Sequence, residues 1–321
     1  MKNNYYKNKA DFLIKIFGTN NIKIDTKYIQ INEKRYEIND DVIILNDLEK
    51  SQLNKQKNKT VTGFGEEWVE FSLITSEHHK EYDNYFDIID IDLNNKVVAD
   101  FGCGIGRWSK LVIDKFQNIK TLILVDYSNA IFVARKHFYE YDNVIFIKAD
   151  LENINFYKNS IDFFICLGVL HHLPSKNSIA IKNISNSSKE GLIYLYYNLD
   201  VRNRSFKYIF KLADYIRKIL SKSSNKFINA FISFLLTIFF YFPFILIVKL
   251  FNYLKIDTSN IPLNYYEKFS FYRVRQDAYD RFFTNIEHRY SQKEIKNIYG
   301  KYFTKFKFSE KAPFWHFYVK K

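Results

Sequence analysis

The chain has 321 residues, room for one large domain or two, and 47% of them are hydrophobic, so a sizeable core can form. A net charge of +13 points to an anionic partner: nucleic acid, a membrane surface or an acidic substrate. The two cysteines, Cys103 and Cys166, sit in or beside apolar strands, which excludes a disulfide framework and suits a reducing compartment.

The first residues, MKNNYYKNKADFLIKIF, lack the apolar core and small-residue cleavage site of a signal peptide, so a cytoplasmic location is expected. Residues 1–60 are Lys/Asn-rich. Inside them Tyr28–Ile31 and Tyr36–Ile38 alternate apolar and polar around Asn32-Glu33-Lys34, and Val42–Leu45 follows. This pattern predicts a small hairpin-like β module, with Gln52–Thr60 as a linker. Gly63–Phe86 places Trp68, Phe71, Ile74, Tyr82, Tyr85 and Phe86 at spacings of one or two helices.

Val97–Trp108, reading VVADFGCGIGRW, is the stretch around which the chain is organised. A short buried-strand signal meets Asp100, then Gly102, Gly104 and Gly106 fall in five positions, and an amphipathic helix begins. Glycines permit positive φ and close approach of a ligand, and a helix N-terminus offers unpaired N–H groups to an anion. The pattern D-x-G-x-G-x-G, without a following Lys-Ser/Thr, resembles the first motif of class I S-adenosylmethionine (SAM) methyltransferases. The residues that follow extend the likeness. Thr121–Val125 runs into Asp126, where a carboxylate can accept from both hydroxyls of a ribose. Ser128 is placed to cap the next helix. Val144–Lys148 ends in Ala149-Asp150-Leu151; in the family this acid lies by the adenine amine and the next backbone N–H reaches the ring. Ser160–Cys166 leads into Gly168-Val169-Leu170-His171-His172-Leu173-Pro174, which resembles the segment after the fourth strand of many small-molecule methyltransferases. Ser175 can cap the helix after it, and Gly191–Tyr197 is the fifth strand.

The resemblance implies an α/β fold: a Rossmann-like, seven-stranded sheet with helices on both faces and an antiparallel last strand, plus the N-terminal β module and a helical insertion. Asp100, Gly102, Gly104, Gly106, Asp126, Asp150, Leu151 and Gly168 are the expected cofactor residues at the carboxyl edge of that sheet, and SAM the expected cofactor. GFGEEW, at Gly63–Trp68, resembles the helix over the SAM site; packing of Trp68 on the core explains it equally well. RYEINDDVIILN resembles the last strand of zinc-ribbon-like modules, but residues 1–60 contain no Cys or His, so docking rather than metal binding is expected.

The expected boundaries are 1–60 for the N-terminal module, 61–201 for the first part of the core, 202–290 for an insertion forming a substrate lid, and 291–321 for the last helix (Ser291–Tyr299) and strands (Phe303–Phe308, Trp315–Val319). NYYEKFSFYRVRQDAYDRFFTNIEHRYSQKEI resembles a bacterial subfamily linked to surface-glycan or lipid-linked pathways. Residues 202–285 hold 14 Lys/Arg against 5 Asp/Glu, and Phe227–Val248 is free of charge for 22 residues, with Pro243 placed to break it. That run is long enough to span a membrane. Strands on both sides of it must join one sheet, however, so it is either a buried core hairpin or a helix lying on an anionic membrane through residues 202–254, which would make the protein peripheral at the membrane's inner face.

Methyl transfer needs in-line alignment, and a hydroxyl acceptor gains from a general base. His171 and His172 are the candidate bases, with pocket shaping as the other reading. Arg273, Arg275 and Arg281 are candidates to hold an anionic group of the acceptor, Asp280 joins them, and Asp280, Arg281 and His288 are weaker candidate bases. The acceptor expected is a small molecule, a glycan or a lipid-linked compound. A nucleic-acid methyltransferase is the second reading and a non-catalytic scaffold the third. Leu167-Gly168-Val169-Leu170 speaks against the second, since base-amine enzymes carry Asn/Asp-Pro-Pro-aromatic there.

Overall fold

Every residue of Val97–Phe101 is buried, because this strand lies at the middle of the molecule with a parallel neighbour on each side. The computed structural model describes residues 5–45, 55–176, 178–200, 202–223, 225–258, 261–311 and 314–321. Among them the strands are β1 (Ile22–Ile24), β2 (Tyr28–Ile31), β3 (Lys34–Asn39), β4 (Val42–Ile44), β5 (Val97–Phe101), β6 (Thr121–Asp126), β7 (Val144–Lys148), β8 (Ile161–Leu167), β9 (Ser188–Tyr194), β10 (Lys305–Phe308) and β11 (His316–Lys320). They form one sheet in the order β1-β2-β3-β4-β7-β6-β5-β8-β9-β11-β10. β7-β6-β5-β8-β9 is parallel and β11 is antiparallel to both β9 and β10. This is the seven-stranded core expected from the sequence.

The N-terminal strands form an antiparallel meander whose last member, β4, pairs in parallel with β7. The module therefore extends the main sheet. Tyr5 OH donates to Val144 O at 2.9 Å, and Arg135 pairs with Asp41 at 2.5 Å. Two elements here escaped the sequence reading: β1, and α1 (Ala10–Phe17), which buries Leu13 and Ile16 and ends at Gly18 with φ 65°. The Lys/Asn-rich composition hid their short apolar faces.

The other helices are α2 (Lys55–Glu70), α3 (Ser76–Phe86), α4 (Arg107–Lys115), α5 (Ala130–His137), α6 (Ile179–Ser187), α7 (Arg204–Leu220), α8 (Lys226–Leu236), α9 (Phe242–Tyr253), α10 (Phe271–Phe283) and α11 (Gln292–Tyr299). The linker expected at Gln52–Thr60 lies partly outside the described residues; its described part opens α2. Ser178, not Ser175, caps α6, accepting from Ala180 N. Asn129 is the N-cap residue of α5, although the Ser128 hydroxyl accepts from Ala130 N at 3.1 Å. Ser291 and Glu294 form a capping box on α11. Pro243 does not break the apolar run: α8 continues through a π-helical turn, Thr237–Tyr241, into α9, and Pro243 falls in the first turn of α9, where a missing N–H costs little.

Alternation along the strands splits the core in two. Val97, Ala99 and Phe101 face one cluster and Val98 the other. A third cluster belongs to the insertion, where Ala213, Tyr241, Ile245, Val274, Ala278 and Phe282 gather with Phe71, the residue after α2.

Where β8 and β9 pair, Gly191 lies so close to Phe164 that an added Cβ would sit 2.4 Å from Phe164 O and 2.3 Å from its ring. Gly191→Ala is expected to cost about 1–3 kcal/mol of stability, read by urea unfolding followed by circular dichroism.

Candidate functional site

At the carboxyl ends of the parallel strands lies a cavity of about 260 Å³. The sheet edge provides one wall: Gly102, Gly104, Asp126, Asp150, Leu151, Gly168 and His172. The opposite walls come from α2 and α3 (Lys57, Phe64, Glu67, Trp68, Glu81, Tyr85) and from the insertion (Tyr265, Tyr266, Arg273, Asp277, Asp280, Arg281).

The glycine turn is set by tight packing. Gly102 has φ 81°, and a Cβ there would meet Val169 Cγ2 at 2.3 Å. Asp126 ties the turn to β6. Its Oδ2 accepts from Gly104 N–H at 2.8 Å, and its Oδ1 accepts from Ser128 N–H at 2.8 Å and the Ser128 hydroxyl at 2.7 Å. Burial raises its pKa, and these three donors oppose the shift. An ionised carboxylate has about four acceptor directions, so a ribose hydroxyl can take the remaining one. Asp150 lies beneath α2, with Lys57 Nζ 2.7 Å from both of its oxygens; Lys57 also bonds Glu152.

Two expected cofactor residues stand behind the wall instead of on it. Asp100 is buried inside β5 and accepts from Ser109 Oγ at 2.7 Å; burial lifts its pKa to about 7. It clamps α4 to the turn. Gly106 packs against Phe138, 2.7 Å from where its Cβ would be.

The histidine pair divides. His171 is fully buried, stacked at 3.8 Å on Tyr196 and absent from the cavity wall, so it is not placed to act as a base. His172 lines the cavity. Its Nδ1 lies 2.7 Å from Ile286 O, which can only accept, so Nδ1 carries the proton and Nε2 keeps its lone pair. Burial depresses its pKa and holds the ring neutral.

The acceptor candidates divide similarly. Arg273 reaches the cavity while held in a two-pronged pair with Glu81, at 2.9 and 3.2 Å. Arg281 also lines it, paired with Asp277 at 3.2 Å. Burial would raise the Asp277 carboxyl, but Arg281 and Tyr266 bring it below its ordinary value. Asp280 faces the cavity, bonded by Thr284 Oγ1 at 3.1 Å, with its pKa raised by burial. Arg275 points away: it pairs with Glu70 at 3.1 Å outside the cavity. His288 is likewise off the wall.

Several wall residues were not singled out from sequence. Glu67 is buried, and burial followed by the charge of Asp280 pushes its pKa well up. The guanidinium of Arg107, first residue of α4, lies 4.7 Å from the Trp68 ring and 4.6 Å from the Trp108 ring. The word GRW after the third glycine was the available signal. Trp68 does face the cavity, with its indole nitrogen against Gly104.

The parallel β7-β6-β5-β8-β9 order with an antiparallel β11 defines a class I methyltransferase fold. Residues 98–191 match a family model described as a methyltransferase domain. Over 74 residues the chain is 35% identical to malonyl-[acyl-carrier protein] O-methyltransferase 2 of Coxiella burnetii, covering 23% of this chain and 29% of that protein. It thus spans less than a third of that curated relative's length. Among solved structures, human N-acetylserotonin methyltransferase in complex with SAM shares 13% identity over 80% of this chain and 56% of its own, with a TM-score of 0.47. Magnesium protoporphyrin IX methyltransferase from Synechocystis PCC 6803, with bound SAH, shares 12% over 82% and 95%, with a TM-score of 0.45. At these values the strand order, not the likeness, carries the fold.

The donor set suits SAM: a carboxylate at a strand end for hydroxyls, backbone N–H groups in a glycine turn, and Arg107 and the start of α4 for a carboxylate. Asp126→Ala removes the acceptor at that strand end and is expected to weaken SAM binding about tenfold or more, as loss of roughly 1.5–3 kcal/mol from charged hydrogen bonds implies. Titration calorimetry checks this; unchanged affinity in a folded variant would take Asp126 out of the site.

Proposed function

We propose that this chain transfers the methyl group of SAM to a hydroxyl of a small or lipid-linked acceptor with an apolar portion. The observation that carries this reading is the cavity itself. It is closed over by α2 and α10, with His172 Nε2 on its wall and SAM-type donors at its floor. When bound, SAM supplies an electrophilic methyl on a sulfonium. His172 then takes the proton of the acceptor hydroxyl, Ile286 O holds the ring in the required tautomer, and Arg273 and Arg281 face any anionic group on the acceptor.

Two further features support a small or lipid-linked acceptor. A second cavity of about 190 Å³ shares Tyr194, Tyr265, Tyr266 and Arg281 with the first, and Phe206, Ile209, Phe240 and Leu263 give it apolar walls. An apolar tail fits there while its polar end faces His172. The excess positive charge, by contrast, lies on an insertion rich in exposed aromatic and aliphatic side chains, which a nucleic-acid groove does not require. The curated relative is an O-methyltransferase by name, in keeping with an oxygen nucleophile.

Incubation with methyl-labelled SAM and fractionated cell extract tests the reading. Label is expected in organic-extractable or small-molecule fractions and not in RNA; label confined to RNA favours the nucleic-acid alternative, and none in any fraction favours a scaffold. With the acceptor in hand, His172→Ala should lower kcat by about a hundredfold or more with SAM affinity unchanged. Because burial depresses the His172 pKa, the neutral, active form persists as pH falls to 6.5, so kcat should drop only at more acid pH. A kcat that already falls on going from pH 8 to 7 would contradict this assignment.

A further inference from the structure

Residues Lys226–Tyr253 form one continuous helical run of 28 residues, about 42 Å long at about 1.5 Å per residue. Its polarity is inverted relative to a helix on a water-soluble domain. The inward stripe begins with Asn229, Ser233 and Thr237, which are 5%, 0% and 0% exposed. Ser233 and Thr237 turn their hydroxyls onto the backbone of their own helix, to Ala230 O and Ser233 O. The outward stripe is Phe227, Phe231, Phe239, Leu246 and Leu250, with Phe239 75% and Phe231 62% exposed. α7 presents a second stripe of Tyr208, Leu212, Tyr215 and Ile219, interleaved with the exposed Lys211 and Lys218, and the exposed Lys222 follows in the turn after it. Between 202 and 258 there are ten Lys/Arg and two Asp/Glu.

Water does not favour such a surface. An apolar face of this extent, flanked by lysines and tyrosines, has the composition of the boundary between acyl chains and anionic headgroups. Crossing is excluded by connectivity. β9 precedes the insertion, β10 and β11 follow it, and all three lie in one sheet. Of the two sequence-level alternatives, the buried hairpin is therefore replaced by a single helix with one face bare.

We propose that α7, α8 and α9 dock in the plane of an anionic phospholipid bilayer, with the Phe/Leu stripe in the acyl boundary and Lys211, Lys218 and Lys222 on the headgroups. The docked helix touches the cavity wall directly: Tyr241, on its inward side, donates to Asp277 at 2.8 Å, and Asp277 pairs with Arg281. Docking brings the second, apolar cavity beside the lipid phase.

Vesicle flotation of the full-length protein tests this without cofactor or acceptor, so its result is independent of the proposed reaction. Vesicles of phosphatidylcholine mixed with phosphatidylglycerol should carry the protein upward at low salt, and vesicles of phosphatidylcholine alone should carry far less. The Lys211→Gln/Lys218→Gln/Lys222→Gln variant should partition about a hundredfold more weakly. Phe231→Ser/Phe239→Ser/Leu246→Ser should lose partitioning altogether while keeping the wild-type melting temperature, since these side chains are exposed. Wild-type protein that does not float with anionic vesicles would overturn the proposal. So would equal binding to neutral vesicles, or a failure of the apolar triple variant to release the protein. A concentration-dependent dimer in light scattering, abolished by the apolar triple variant and unaccompanied by flotation, would assign the face to a second copy of the chain instead.

Discussion

One carboxylate holds the functional edge together. Asp126, at the end of β6, accepts from Gly104 N–H in the turn after β5 and from both donors of Ser128 at the start of the next helical segment. That anchor adds to the backbone bonds from Gly102 N–H and Cys103 N–H to Val125 O, at 2.7 and 3.0 Å, and together they hold glycines that are otherwise costly to order. Asp100 supports the same turn from behind through Ser109. Burial raises both pKa values, so the edge gathers two acids in a low-dielectric setting, each held by short hydrogen bonds from neighbouring donors.

The insertion completes what the sheet begins. A parallel sheet leaves its carboxyl edge open, and α10 covers it with charged residues that are themselves buried. Arg273 can be carried there because Glu81 meets it with two hydrogen bonds, and Arg281 because Asp277 meets it. Removing Glu81 would strand the buried Arg273 guanidinium, a far larger cost than the net worth of the pair. These pairs join α10 to α3 and to its own next turn, so the cavity wall is cross-linked on its inner side while the insertion's outer face is bare. Tyr241 and Tyr266 both donate to Asp277, which links the exposed helix pair to the same wall.

The core was legible because its signals are local. Buried parallel strands read as short apolar runs, and the acids that end them, Asp126 and Asp150, mark the ligand edge directly. The antiparallel pair at the C-terminus and the helical insertion came from the family resemblance, not from local periodicity. What failed was phase and distance. His171 and His172 are adjacent, yet a turn of 3₁₀ helix buries one against Tyr196 and leaves the other on the cavity. Arg273 and Arg275 are two residues apart on α10, about 200° around the helix, so only one can face the site. Glu67 and Lys57 lie on α2, far in sequence from Asp280 and Asp150, and nothing local announces that they meet. The inverted polarity of the apolar helix was likewise invisible in composition, since it depends on which side α10 covers.

The central claim is that sheet edge and insertion wall a single cofactor-bearing cavity. Hydrogen exchange with and without SAM tests it most directly. The account predicts slowed exchange at Gly102–Gly104, Asp126–Ser128 and Asp150–Leu151 together with α2 and α10. Saturating SAM that leaves the exchange of these segments unchanged, or protects only segments away from the strand ends, would contradict it.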